Sequence, residues 1–228
     1  MSHYESHLEK AREFYRDGNY AGARAAAQKA IECALNEEDD EARHLLALSD
    51  HKLEYTDEAF RIWESLSRRH PTPEMCESYA LMRAEKGLCD DECREFAARA
   101  IASDPDSPNA YLALFFCDVA DDRRQEAVVN LRRAVHRGAE ISAQKAFELV
   151  RSWCQEACNA QNRQAALALS SEIVDTFSSL EFLLLHARLA EVCQQPRIAV
   201  KYYQQALHVM PTGKMRTEVL ETVAAIAI

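Results

Sequence analysis

Ala199-Val-Lys-Tyr-Tyr-Gln-Gln-Ala206 is the stretch from which the fold of this chain is read. Its first, fifth and eighth residues, Ala199, Tyr203 and Ala206, fall on one side of a helix, where side chains four and seven apart line up. The same frame stands at Ala23, Ala27 and Ala30, at Ala59, Trp63 and Leu66, at Cys93, Ala97 and Ala100, and at Ala127, Leu131 and Ala134. A sixth copy, Ala166, Ser170 and Ile173, has a hydroxyl at its middle place. From the first copy to the last the intervals are 36, 34, 34, 39 and 33 residues. A period near 34 is that of stacked helix pairs. One such pair cannot bury its own apolar face, so each must lean on a neighbour.

Working outward, the residues twelve before each opener are Ala11, Ala47, Leu81, Phe115, Cys154 and Ala187. They place a mostly small residue on the first helix of each pair, where it lets two backbones approach closely. Phe14, Trp63, Leu114, Trp153 and Tyr203 are the larger groups that fill the gaps. Twelve residues after each opener stand Leu35, Pro71, Pro105, Ala139, Ser178 and Pro211, and a proline there stops a helix. Gly18-Asn19-Tyr20 joins the first pair, Thr56 is placed as an N-cap, and Ser107-Pro108 as a cap followed by a first-turn proline. The 39-residue interval predicts a lengthened helix or a longer connection around Ala139 to Ala146, with a change of curvature. After Pro211, the apolar residues Met215, Val219, Leu220, Val223 and Ile226 follow helical spacing and predict a capping helix over 214–228.

Composition agrees with an all-α chain. Five glycines and six prolines in 228 residues leave little turn punctuation for β structure. Lys and Arg number 27 against 37 Asp and Glu, a net charge of −10 that argues against binding a phosphate backbone. No apolar run reaches the ~20 residues of a membrane-spanning helix, and the opening residues lack a signal-peptide pattern, so a cytoplasmic location is expected.

Chemistry is sparse. Cys89 with Cys93, and Cys154 with Cys158, each put two thiols one helical turn apart, half of a zinc site, but no second pair follows at the required distance. They are read as packing cysteines, with no metal and no cofactor expected. The eight histidines form no metalloprotease motif, and no glycine-rich phosphate loop occurs. The acidic runs at Asp39, Asp90 and Asp121 precede helices, where negative charge meets the positive helix end. No enzyme activity is expected.

The units resemble tetratricopeptide repeats, with Gly18, Tyr20, Ala23 and Ala30 in the first unit and Ala199, Tyr203, Ala206 and Pro211 in the last matching the family pattern best. Leu81, Phe115, Cys93 and Ser170 depart from it. The resemblance implies a right-handed α-solenoid of about six helix pairs, at about 4–37, 40–73, 74–107, 108–141, 147–180 and 180–213, closed by the helix over 214–228. Sel1-like repeats, richer in glycine, and pentatricopeptide repeats, with basic residues for RNA, fit less well. It also implies a concave groove lined by the first helices, carried over here to Leu8, Arg12, Tyr15, Arg16, His44, Leu48, His51, Lys52, Met82, Lys86, Leu112, Phe116, Arg151 and Arg188. Val119, Gln155 and Leu184 fall on the same face. A scaffold or adaptor holding a partner segment with acidic and apolar residues is the function this implies, or else a chaperone for a secreted or aggregation-prone client. Arg12 and Leu48 stand where the family's clamp for chaperone tails has asparagines, so that partner is not implied. The apolar end of the chain is also suited to a homodimer contact.

Ala127→Leu tests the register. Overpacking the helix contact is expected to cost ~1–3 kcal/mol, and an unchanged melting temperature would place Ala127 elsewhere.

Overall fold

A computed structural model describes residues 2–34 and 39–226, among which there are thirteen α-helices and no strand. The helices are α1 (His3–Arg16), α2 (Tyr20–Cys33), α3 (Asp40–Lys52), α4 (Thr56–Arg69), α5 (Pro73–Glu85), α6 (Asp91–Ser103), α7 (Pro108–Ala120), α8 (Arg124–His136), α9 (Ala143–Asn159), α10 (Arg163–Phe177), α11 (Leu180–Val192), α12 (Pro196–Val209) and α13 (Lys214–Ile226). Leu35 and the last two residues of the expected capping helix lie outside the described residues. No described helix is long and apolar enough to cross a membrane.

Two compact units divide the chain, Met1–Ala113 and Leu114–Ile228. In the first, α1 packs on α2, α3 on α4 and α5 on α6, with α2 against α3 and α4 against α5. In the second, α9 packs on α10 and α11 on α12, while α10 also meets α8 and α11, and α13 rests on α12.

All six openers, Ala23, Ala59, Cys93, Ala127, Ala166 and Ala199, sit on the second helix of a pair and are 0% exposed. The residues seven further on, from Ala30 to Ala206, are equally buried. Two small or branched residues two turns apart therefore seat each second helix against its partner.

The turn inside each pair has a left-handed residue and the same closing hydrogen bond. Gly18, Glu54, Gly87, Asp122, Gln161 and Gln194 all have positive φ. The next residue's amide donates to a carbonyl five residues back: Asn19 to Phe14, Tyr55 to Asp50, Arg123 to Asp118, Asn162 to Ala157 and Gln195 to Ala190, each at 2.8 Å, and Leu88 to Arg83 at 2.9 Å. This left-handed exit ties up carbonyls left over at the end of the first helix. Glycine adopts such a φ without strain, whereas a residue with a Cβ loses ~1–2 kcal/mol there.

Counting back seven from the positive-φ residue gives Ala11, Ala47, Ala80, Phe115, Cys154 and Ala187, all buried. In the third pair this corrects the expected Leu81, which is only half-buried. The turn from Lys86 to Asp90 is longer than the others, so the opener Cys93 lies one residue further from the first helix and the small place moves to Ala80. The Cys93 thiol donates to the Ala80 carbonyl at 3.3 Å, and Cys154 donates to the Ala166 carbonyl at 3.4 Å. Both cysteines are buried at helix contacts.

The caps also need correction. Thr56 is the first helical residue of α4 rather than its cap, and Tyr55 precedes it without a side-chain hydrogen bond. The Ser107 hydroxyl is buried without a hydrogen-bond partner, so it does not cap α7. Asn19 and Asp90 do cap, accepting from the amides of Gly22 and Cys93 at 3.0 Å. The long interval resolves into a connection over 137–142 followed by α9, which has 17 residues. In α13 only Val219 is buried, while Met215 and Leu220 face outward. Arg216 anchors that helix by donating to the carbonyls of Leu207 and Met210, which end α12.

The shifted register gives a test. Ala80→Leu is expected to lower the urea midpoint by the equivalent of ~1–3 kcal/mol, whereas Leu81→Phe, at a half-buried place, leaves it within about 0.5 kcal/mol. The reverse order would return the contact to Leu81.

Candidate functional site

Within the first unit, α1, α3 and α5 present corresponding places measured from the turn residue. Six before it stand Arg12, Leu48 and Leu81; three before it, Tyr15, His51 and Ala84; two before it, Arg16, Lys52 and Glu85. Tyr15, Leu48, His51 and Leu81 are half-buried, and Arg16, Lys52 and Glu85 are exposed. This leaves a strip of partly open apolar and aromatic groups edged by charge.

Not every expected residue belongs to it. Leu8, Met82 and Leu112 lie in the core, Met82 with only 2% exposure. The shift of one residue in the third pair turns Met82 inward and brings Leu81 to the strip, with Glu85 in place of Lys86. Lys86 instead pairs with Asp57 and lies over the Phe60 ring, 5.5 Å from its centroid.

The cations are less available than their number suggests. The Arg12 guanidinium holds Glu9 at 2.9 Å and also Glu41, so it ties α1 to α3. Those hydrogen bonds, Glu41 first, raise its pKa. Arg16 reaches Glu9 at 3.5 Å and remains largely exposed. Burial raises the Glu85 carboxyl against the opposing pull of His51 and Lys52, and His51 Nε2 lies 4.0 Å from it.

Behind the strip, the Trp63 indole from α4 donates to His44 Nδ1 at 3.1 Å. His51 also approaches Trp63, with ring centroids 5.9 Å apart. His51 Nδ1 is buried and has no hydrogen-bond partner. Sequence spacing brings the two histidines to one face of α3, whereas the indole that both approach comes from α4 and carries no signal in that spacing.

In the second unit, Phe116 is half-buried beside Phe115, with centroids 5.2 Å apart. Arg151 is exposed and lies over Phe147, 5.9 Å from its centroid. Val119 is half-buried, Gln155 and Arg188 are exposed, and Leu184 is buried. Among the described residues no group of three or more histidine, cysteine or acidic side chains is arranged to hold a metal ion.

Burial lowers the His44 pKa to about 4, overcoming the upward pull of Glu74 and Glu41. An unfolded chain takes up this proton near pH 6.5 while the folded chain resists it to about 4, so stability is complete above 6.5 and falls as the pH drops through that window. Urea midpoints at pH 7 and pH 5 are expected to show the loss, and His44→Gln to reduce it.

No protein-family model and no curated protein matches the sequence. Solved structures do. The crystal structure of PilW, a widely conserved type IV pilus biogenesis factor, aligns with a TM-score of 0.56 at 18% identity, covering 95% of this chain and 98% of that one. PilF of Pseudomonas aeruginosa aligns with a TM-score of 0.57 at 14% identity, over 96% and 97%. A chain of the Cut9–Hcn1 hetero-tetramer of the APC/C gives 0.52 at 12% identity, over 96% of this chain and 42% of that one. PilW, PilF and Cut9 share one architecture of stacked helix pairs, the one that the recurring octet and its turn build here. This chain has the tetratricopeptide-repeat fold, an all-α solenoid.

Proposed function

We propose that this chain is a non-catalytic adaptor that holds a segment of a partner protein on the first-helix face of its first unit. The observation that carries this reading is the strip formed by Tyr15, Leu48, His51 and Leu81, half-buried in the chain and bordered by Arg16, Lys52 and Glu85. Such a strip takes apolar anchors from a partner, while its charged border sets their register. An acidic residue beside the anchors would meet Arg16 and Lys52, because Arg12 is already engaged by Glu9 and Glu41. Phe116, Arg151 and Arg188 offer a comparable surface on the second unit.

The exposed Val209, Met215 and Leu220 favour a second role, holding an aggregation-prone client or a second copy of this chain. An adaptor stays in a lasting complex, whereas a chaperone releases its client and suppresses its aggregation. Size-exclusion chromatography of the chain alone reads a homodimer directly.

Charge reversal at Arg12 would break the tie between α1 and α3 as well as any partner contact, so it cannot separate binding from folding. Arg16→Glu with Lys52→Glu avoids this. In pull-downs from the native cell, the double variant is expected to recover its main partner about tenfold less well, with an unchanged melting temperature. Undiminished recovery overturns the assignment of this face.

A further inference from the structure

Ser170 occupies the middle place of the octet frame where the other five copies carry Ala27, Trp63, Ala97, Leu131 and Tyr203. Its hydroxyl is buried and donates to the Leu167 carbonyl at 3.0 Å. The same oxygen lies 2.8 Å from His186 Nδ1 on α11. In the tautomer in which that hydroxyl gives its one proton to Leu167, Nδ1 carries the imidazole proton and Nε2 is left as an acceptor. His186 is only 3% exposed, yet it lines a cleft of about 430 Å³ between α10 and α12. Burial lowers its pKa, with Asp175 opposing and Lys201 adding to that shift, so the ring is neutral near pH 7.

The rest of the cleft mixes apolar and polar groups, with Gln164, Gln195 and Ser171 among its lining. Leu167, Ala168 and Ile198 form an apolar stretch, and Ile198 is 37% exposed. Tyr202 meets His186 edge to face, with centroids 4.5 Å apart, and its hydroxyl donates to the Asp175 carboxylate at 3.1 Å. Tyr202 therefore touches both the His186 ring and the Asp175 carboxylate. A cation already rests against that ring: Lys201 Nζ lies 4.7 Å from its centroid, on an exposed side chain.

We propose that the α10–α12 cleft is a receptor for a basic side chain with an aliphatic stem, an arginine or lysine presented by a protein partner. The stem lies along Leu167, Ala168 and Ile198, and the cationic head reaches the Asp175 carboxylate and His186 Nε2 over the Tyr202 ring. An alkyl stem covering apolar surface while its charged head finds an acceptor is the ordinary way such side chains bury themselves. The ring adds attraction for the cation, and Lys201 must swing into solvent to make room. This site is built by α10 and α12 with His186 from α11, in the second unit, apart from the first-unit face assigned to the partner segment above.

The test uses the full chain and four small probes: n-butylguanidinium, n-butylammonium, the neutral N-butylurea and the anionic butyrate. Binding is followed through the imidazole nitrogen resonances of His186. A saturable shift is expected with one or both cations, guanidinium pointing to arginine and ammonium to lysine, and not with N-butylurea or butyrate. Asp175→Asn keeps an acceptor for the Tyr202 hydroxyl but removes the charge, and is expected to weaken cation binding about fivefold. Lys201→Gln removes the resident cation and is expected to tighten it about threefold, a gain that misfolding would not produce. The proposal is overturned by a cation response that leaves His186 unmoved, by binding unaltered in Asp175→Asn, by an equal response to N-butylurea, or by butyrate binding that disappears in Lys201→Gln.

Discussion

Each pair of helices closes only where the residues between them are small enough to let the backbones approach. Ala23 against the first helix that carries Ala11, and Ala199 against the one that carries Ala187, are the plainest cases. Where a larger group stands at the contact, as with Phe115 in the fourth pair, the ring is still buried, 5.2 Å from that of Phe116 between centroids. Removing side-chain bulk from these contacts frees the larger residues, among them Trp63, Leu131 and Tyr203, to fill the space around them. Such packing makes the second helix of a pair insensitive to its surface composition and sensitive to single methylenes at its contact.

The turn is the second constraint, and it shows how far a sequence can be read. The octet frame and its period were legible because four and seven residues lie close to one and two helical turns, whatever lies on the surface. The left-handed residue was read only at Gly18, and Gly87 marks the one other turn with the residue type that suits it. Glu54, Asp122, Gln161 and Gln194 adopt the same φ without the residue type that announces it. The longer turn between α5 and α6 could not be read, because Ala80 and Leu81 are adjacent and either satisfies an apolar pattern. That one-residue ambiguity carried Met82 into the expected groove and left Leu81 out.

The candidate surfaces divide along the same line. Arg12, Tyr15 and Arg16 on α1 stand at the same places, counted from the turn residue, as Leu48, His51 and Lys52 on α3. What spacing could not supply is the company these residues keep. Glu9 and Glu41 engage Arg12, and Trp63 meets both His44 and His51, through contacts between helices. The cleft between α10 and α12 combines side chains of three helices, so no linear motif encodes it. Its one trace in the sequence is Ser170, the one small polar residue at the middle place of the octets, which stands where His186 meets a partner.

Buried sulfur has a practical corollary. Cys76 and Cys93 in the first unit, and Cys117 and Cys154 in the second, are closed to solvent, and burial pushes the Cys154 thiol up to about 12. A thiolate is the form that alkylating reagents attack, so these sulfurs stay silent until the helices around them part. Mass spectrometry of chain exposed briefly to such a reagent would then time the opening of each half separately, with native atoms serving as the clock.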